Sequence, residues 1–114
     1  MKKLLLIVLL LSACAFQRTD MAYRAKSELI GISREDLVMC AGVPVKHEKV
    51  EDLEFLTYSG GGENDVGRIL EYYCEATFTL KDGIVKKITY HGRTGGPLTK
   101  DEQCGFIIEN CLKR

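Results

Sequence analysis

Cys104 and Cys111 stand seven residues apart in a segment that reads as one helix, and this spacing limits how the chain can be cross-linked. On a helix two such residues share a face but lie about 10.5 Å apart along the axis, whereas a disulfide needs Cα atoms less than about 7 Å apart. They cannot pair with each other while the helix is intact. Each should reach across the core, to Cys40 on an early helix and to Cys74 on a central strand, and the spacing leaves open which goes to which. No C-x-x-C pair occurs, and His47 and His91 sit among polar or turn residues, so two disulfides are expected rather than a metal site.

The other elements follow from period and caps. Ser33 is a natural N-cap, with Glu35 and Asp36 suited to a helix N-terminus and Ile32 placed to staple onto Leu37. Gly42 and Pro44 end that helix about two turns later; in that geometry Val43 meets Val38, and Leu37, Cys40 and Ala41 form its apolar stripe. Leu53 to Tyr58 reads as a short strand, followed by the loop Ser59 to Gly67. That loop is glycine-rich but lacks the G-K-[ST] ending of a phosphate loop and carries acidic neighbours, so a hairpin connection is expected.

Tyr72 to Leu80 alternates, with Tyr72, Cys74, Ala76, Phe78 and Leu80 on one face. Asp82-Gly83 turns the chain into Ile84 to Tyr90. A three-residue loop with Gly83 left-handed would place Ile84, Lys86, Ile88 and Tyr90 on the apolar face; a two-residue loop would place Val85, Lys87 and Thr89 there, which buries less. The longer loop is expected. A last helix, capped by Thr99, carries Asp101 and Glu102 in its first turn, Lys113 and Arg114 at its end, and Cys104, Ile107, Ile108 and Cys111 on one face. The expected fold is α+β: a helix or helix pair on a three-stranded antiparallel sheet, plus a C-terminal helix, cross-linked by disulfides.

The N-terminus has the three parts of a secretory signal: basic Lys2 and Lys3, the apolar run Leu4 to Leu11, and small Ser12 and Ala13. At 1.5 Å per residue the run is too short for a hydrocarbon core of about 30 Å. Leu11-Ser12-Ala13-Cys14 resembles the bacterial lipobox, which implies cleavage before Cys14 and lipidation of its thiol. An ordinary cleaved signal, or a first helix of the fold, would make the position of Cys14 coincidental. The residue after the cysteine is Ala15 rather than aspartate, which by resemblance to bacterial lipoproteins favours the outer membrane. The expected organisation is a signal at 1–13, a lipidated cysteine and tether at 14–28, and a small periplasmic domain at 29–114. Loss of Lys2 and Lys3 with the signal leaves 14 basic against 16 acidic residues, a formal net charge of −2, which argues against a nucleic-acid partner. Export to an oxidising compartment makes the disulfides chemically reasonable.

Gly31-Ile32-Ser33-Arg34-Glu35-Asp36-Leu37, then Ala41-Gly42-Val43-Pro44, then the hairpin Lys81-Asp82-Gly83-Ile84-Val85 resemble the small protein A/outer-membrane lipoprotein A family over roughly Leu29 to Tyr90. That family includes the smallest lipoprotein subunits of the β-barrel assembly machinery. The resemblance implies helices on a three-stranded antiparallel sheet and an envelope-assembly role, while the cysteines and the C-terminal helix depart from the family pattern. A related fold in secreted β-lactamase inhibitors makes an inhibitor of a periplasmic or lytic hydrolase the alternative.

No catalytic residue is expected. Ser33 is explained as a cap, His47 and His91 have no partner motif, Glu51, Asp52 and Glu54 read as a solvated turn, and Glu63, Asn64 and Asp65 lack the calcium-loop pattern. No cofactor is implied. Tyr73 and Arg93 are the candidate partner surface, since Tyr and Arg are frequent interface anchors, whereas Tyr72 and Tyr90 are expected to pack on the core. The chain reads as a non-catalytic outer-membrane lipoprotein that binds an envelope protein.

Overall fold

A computed structural model describes residues 2–60 and 72–112, for residues 7–15 the backbone only. Among the described residues three helices, α1 (Lys2–Glu28), α2 (Arg34–Ala41) and α3 (Glu102–Leu112), accompany four strands, β1 (Lys46–Val50), β2 (Leu53–Gly60), β3 (Cys74–Lys81) and β4 (Ile84–His91). The strands form one antiparallel sheet in the order β1-β2-β3-β4.

The core forms where the sequence alternates most cleanly. Cys74, Ala76, Phe78 and Leu80 of β3 are fully buried and lie between Leu56 and Tyr58 of β2 and Val85 and Ile88 of β4. Phe78 meets Tyr58 edge to face, with ring centroids 5.5 Å apart, an arrangement that suits the aromatic quadrupoles. Cys104, Ile107, Ile108 and Cys111 of α3 close the core from above. On the opposite face Phe55, Thr77, Thr79 and Thr89 are half-exposed, and the Thr57 and Thr77 hydroxyls are 3.1 Å apart.

α2 starts as its sequence requires: the Ser33 hydroxyl accepts from the Asp36 N–H at 3.1 Å. Leu37 is buried, with Cys40 and Ala41 packed beside it. At its end Gly42 has a positive φ of 90° with an extended ψ of −163°, and its N–H donates to the Val38 carbonyl. This exit points the chain away from the helix, leaving Val43 83% exposed rather than packed on Val38.

Four further expectations are corrected. The sheet has four strands, not three: β1 is an edge strand of Lys46, His47, Glu48, Lys49 and Val50, all exposed, so no apolar alternation marks it. Charged side chains of this kind protect an open edge from further pairing. The β3–β4 turn is the two-residue loop, with φ of 53° at Asp82 and 75° at Gly83 and Lys81 opposite Ile84. A bulge at Lys86 then shifts the register, so that Val85, Ile88 and Tyr90 all reach the inner side while Lys86 stays exposed. Thr99 does not cap α3; its hydroxyl accepts from the Gly96 N–H, and Thr94 secures the helix start by accepting the Asp101 N–H and donating to the Asp101 carboxylate.

The fourth correction concerns residues 14–28, expected as a lipidated cysteine and tether. They are helical, and Ala22, Ala25 and the following Leu29 belong to the core. α1 docks on α3 through small residues. A Cβ on Gly105 would lie 2.8 Å from the Arg18 carbonyl oxygen and 3.1 Å from its Cα, so only glycine allows this approach. The Tyr90 hydroxyl donates to the Ala22 carbonyl at 2.8 Å and ties α1 to the sheet. Residues of the glycine-rich loop from Gly61 to Gly67, and Lys113 and Arg114, lie outside the described residues.

Burial pushes the Tyr90 hydroxyl well above the ordinary phenol range, helped by the Asp101 carboxylate, and burial likewise raises Tyr58, whose hydroxyl donates to the Gly42 carbonyl. A raised folded pKa means that the native state holds these protons longer than the unfolded chain does. Their contribution is fully present below the unfolded value of about 10 and is lost as pH rises beyond it. Stability should therefore decline above pH 10, and part of the tyrosinate absorbance should develop only as the far-UV signal of the fold is lost. Complete ionisation of all five tyrosines with the fold intact would contradict this.

Candidate functional site

The cysteines set the frame. Cys40 at the end of α2 is bonded to Cys111 at the end of α3, with Cα atoms 4.9 Å apart, and Cys74 at the start of β3 is bonded to Cys104 at the start of α3, at 5.1 Å. Cys104 and Cys111 thus do not pair with each other, and the choice left open by their spacing is resolved. Cys14 is the one cysteine of five outside this framework; it falls within the backbone of α1, and its side chain lies outside the described residues.

At the end of the sheet where α3 begins, the structure brings together Tyr73 and Arg93, twenty residues apart in sequence. The Tyr73 N–H donates to the Arg93 carbonyl at 2.9 Å, which extends the β3–β4 pairing past the strand ends. Gly92, with a φ of 107°, makes room for the Tyr73 ring, since a Cβ there would meet that ring at 2.7 Å. The Arg93 guanidinium lies 5.5 Å from the Tyr72 ring centroid. Tyr72 is half-buried just before β3, and Tyr73 is 46% exposed.

The Cys74–Cys104 bond places the first turn of α3 beside this cluster. There the Arg18 guanidinium stacks 4.2 Å from the Phe106 ring centroid, and Phe106 is itself 46% exposed. Leu98, in the loop leading to α3, is 79% exposed. This pole therefore combines open apolar side chains with guanidinium groups. Arg18, Leu98 and Phe106 were not expected from sequence. Their grouping depends on the docking of α1, which uses alanines and a glycine and so leaves no strong hydrophobic signal.

The opposite pole, at the β1–β2 and β3–β4 turns, holds a cleft of about 310 Å³ lined by Lys49, Glu51, Asp52, Leu53, Glu54, Leu80, Asp82 and Gly83. Glu54 is its one well-shielded carboxylate, bonded by Arg34 Nε at 3.2 Å and by His47 Nε2. Lys81 approaches Asp52 at 3.6 Å, and both side chains are more than half exposed, so that pair contributes little. His91 stands opposite Glu75 at the other end of the sheet, and His47 opposite Leu56 on the edge. The two histidines do not converge. Among the described residues no group of three or more His, Cys, Asp and Glu side chains is arranged to hold a metal ion. No helix searched among those residues is long and apolar enough to cross a membrane.

Comparison with protein-family models, with curated protein sequences and with solved structures finds no match for this chain.

Proposed function

We propose that the chain is an outer-membrane lipoprotein, anchored through Cys14 with its domain in the periplasm, that binds an envelope protein and catalyses no reaction. The observation that carries this reading is the position of Cys14: it ends the sequence Leu11-Ser12-Ala13-Cys14, and it is the cysteine left over when the other four are bonded in pairs. Two disulfides in so small a domain fit an oxidising compartment, which is where such an anchor would place it. Acyl chains contribute about 0.8 kcal/mol per buried methylene, so several chains on one residue hold a protein stably.

The resemblance to the small protein A/outer-membrane lipoprotein A family makes the β-barrel assembly machinery the partner to test first. Binding without turnover is supported by the arrangement of the polar residues: Ser33 caps α2, Glu54 is held by Arg34 and His47, and His47 and His91 lie at separate places on the sheet.

Replacing Cys14 by Ser should abolish metabolic labelling with palmitate and leave an uncleaved precursor; equal label in wild type and variant would refute the anchor. A photoreactive amino acid at Phe55, on the half-exposed sheet face, should trap a barrel-assembly subunit in intact cells. Hydrolysis of peptidoglycan, ester or phosphate substrates that is lost on replacing His47 or His91 would overturn the non-catalytic reading.

A further inference from the structure

Resting on that lipoprotein reading, we infer that the pole bearing Tyr73, Leu98 and Phe106 is seated on the bilayer to which Cys14 is anchored, so that the domain stands on the membrane in a fixed orientation. Arg18 is already part of the folded domain, since its backbone lies against Gly105 and its guanidinium against Phe106. Only three residues, Ala15, Phe16 and Gln17, lie between Cys14 and Arg18, a distance of four chain steps. These steps span about 6 Å as helix and at most about 14 Å fully extended. An acylated Cys14 therefore cannot let the domain swing free, and the surface around Arg18 must lie at the lipid interface.

Tyr73 is 46%, Phe106 46% and Leu98 79% exposed, and Arg18 and Arg93 lie over the rings of Phe106 and Tyr72. Aromatic rings favour the headgroup level of a bilayer, and arginine can bury its stem while its guanidinium meets lipid phosphate. Eight residues of β2 separate the two ends of the sheet by about 23 Å, so a domain seated on one pole holds the other well clear of the bilayer.

In this orientation the strands stand up from the membrane and the acidic cleft is the point farthest from it. The half-exposed sheet face with Phe55, Thr77 and Thr79 then looks sideways, open to a neighbouring protein at the same surface. Tyr73 and Arg93, expected from sequence to contact a protein, meet lipid instead.

The chain contains no tryptophan, so Leu98→Trp and Val50→Trp each introduce a single reporter, one at each pole and both at exposed positions. Each variant is purified from membranes, its acyl mass on Cys14 is verified, and it is reconstituted into phosphatidylcholine vesicles with or without chains brominated near the headgroup. The Leu98→Trp fluorescence should be blue-shifted by the bilayer and quenched at least two-fold by the brominated lipid, with Val50→Trp unchanged. Arg18→Glu combined with Arg93→Glu should reduce that quenching while the far-UV spectrum is retained. Equal response of the two reporters on acylated protein would overturn the seating and leave the anchor standing. Quenching at Val50→Trp alone would do the same, as would crosslinking of a protein rather than lipid at position 98. Absence of acyl mass would overturn the anchor, and the seating with it.

Discussion

Reduction of both disulfides should cost the domain most of its stability. In the chain-entropy treatment, closing the 30-residue span from Cys74 to Cys104 is worth about 3.6 kcal/mol, and closing the 71-residue span from Cys40 to Cys111 about 4.4 kcal/mol. The first loop lies inside the second and shortens it, so the combined effect is smaller than the two added, about 4–7 kcal/mol. A domain of roughly a hundred residues has a total of only about 5–15 kcal/mol, and small domains bury too little to sit high in that range. Both bonds end on α3, which supplies the upper side of the core through Ile107 and Ile108. Once they are reduced, α3 should leave the sheet. Urea unfolding with and without reductant is the check: the midpoint should fall sharply, and Cys→Ala replacement of either pair should give an intermediate value. An unchanged midpoint on reduction would remove the disulfides from the account of stability.

Gly105→Leu should undock α1 from α3 while leaving the sheet intact. The obstruction is backbone, the Arg18 carbonyl oxygen at 2.8 Å and Cα at 3.1 Å from where a Cβ would lie, so no side-chain rotation relieves it. Overpacking of this kind costs about 1–3 kcal/mol or more. The cost falls on the α1–α3 contact, where the Arg18 backbone lies against Gly105 and its guanidinium against Phe106. Hydrogen exchange should show lost protection at amides 18–28 and retained protection in β3. In the lipoprotein reading the same change lengthens the leash from four chain steps, Cys14 to Arg18, to about fifteen, Cys14 to Leu29, so the Leu98→Trp reporter should lose its lipid quenching. Unaltered protection of α1 would mean that the helices are not held together at Gly105.

The sequence discloses elements in proportion to how one-sidedly they are buried. β3 is legible because Cys74, Ala76, Phe78 and Leu80 alternate with polar residues, and α2 because Ser33 and Glu35-Asp36 mark its start. The cross-core disulfides are legible from helical geometry alone, because seven residues fix a distance. β1 is hidden since an edge strand with every side chain in solvent has no period to detect. The packing of α1 is hidden for another reason: alanines against a glycine bury backbone rather than large side chains. In the β3–β4 hairpin, both registers considered from sequence contain part of the answer. The bulge at Lys86 lets Val85 and Ile88 be buried together, an outcome that uniform alternation does not allow. Of the candidate surface, Tyr73 and Arg93 could be named from residue type. Their contact through the Tyr73 N–H, and the arrival of Arg18 and Phe106 beside them, depend on tertiary closure by the Cys74–Cys104 bond.

The central claim is that this domain is held at a membrane through Cys14, and the mass of the N-terminal peptide of protein extracted from membranes tests it most directly. The account predicts a chain that begins at Cys14 and carries diacylglycerol on its sulfur. An unmodified Cys14 within a chain that still begins at Met1, or a chain cut at another position, would contradict it.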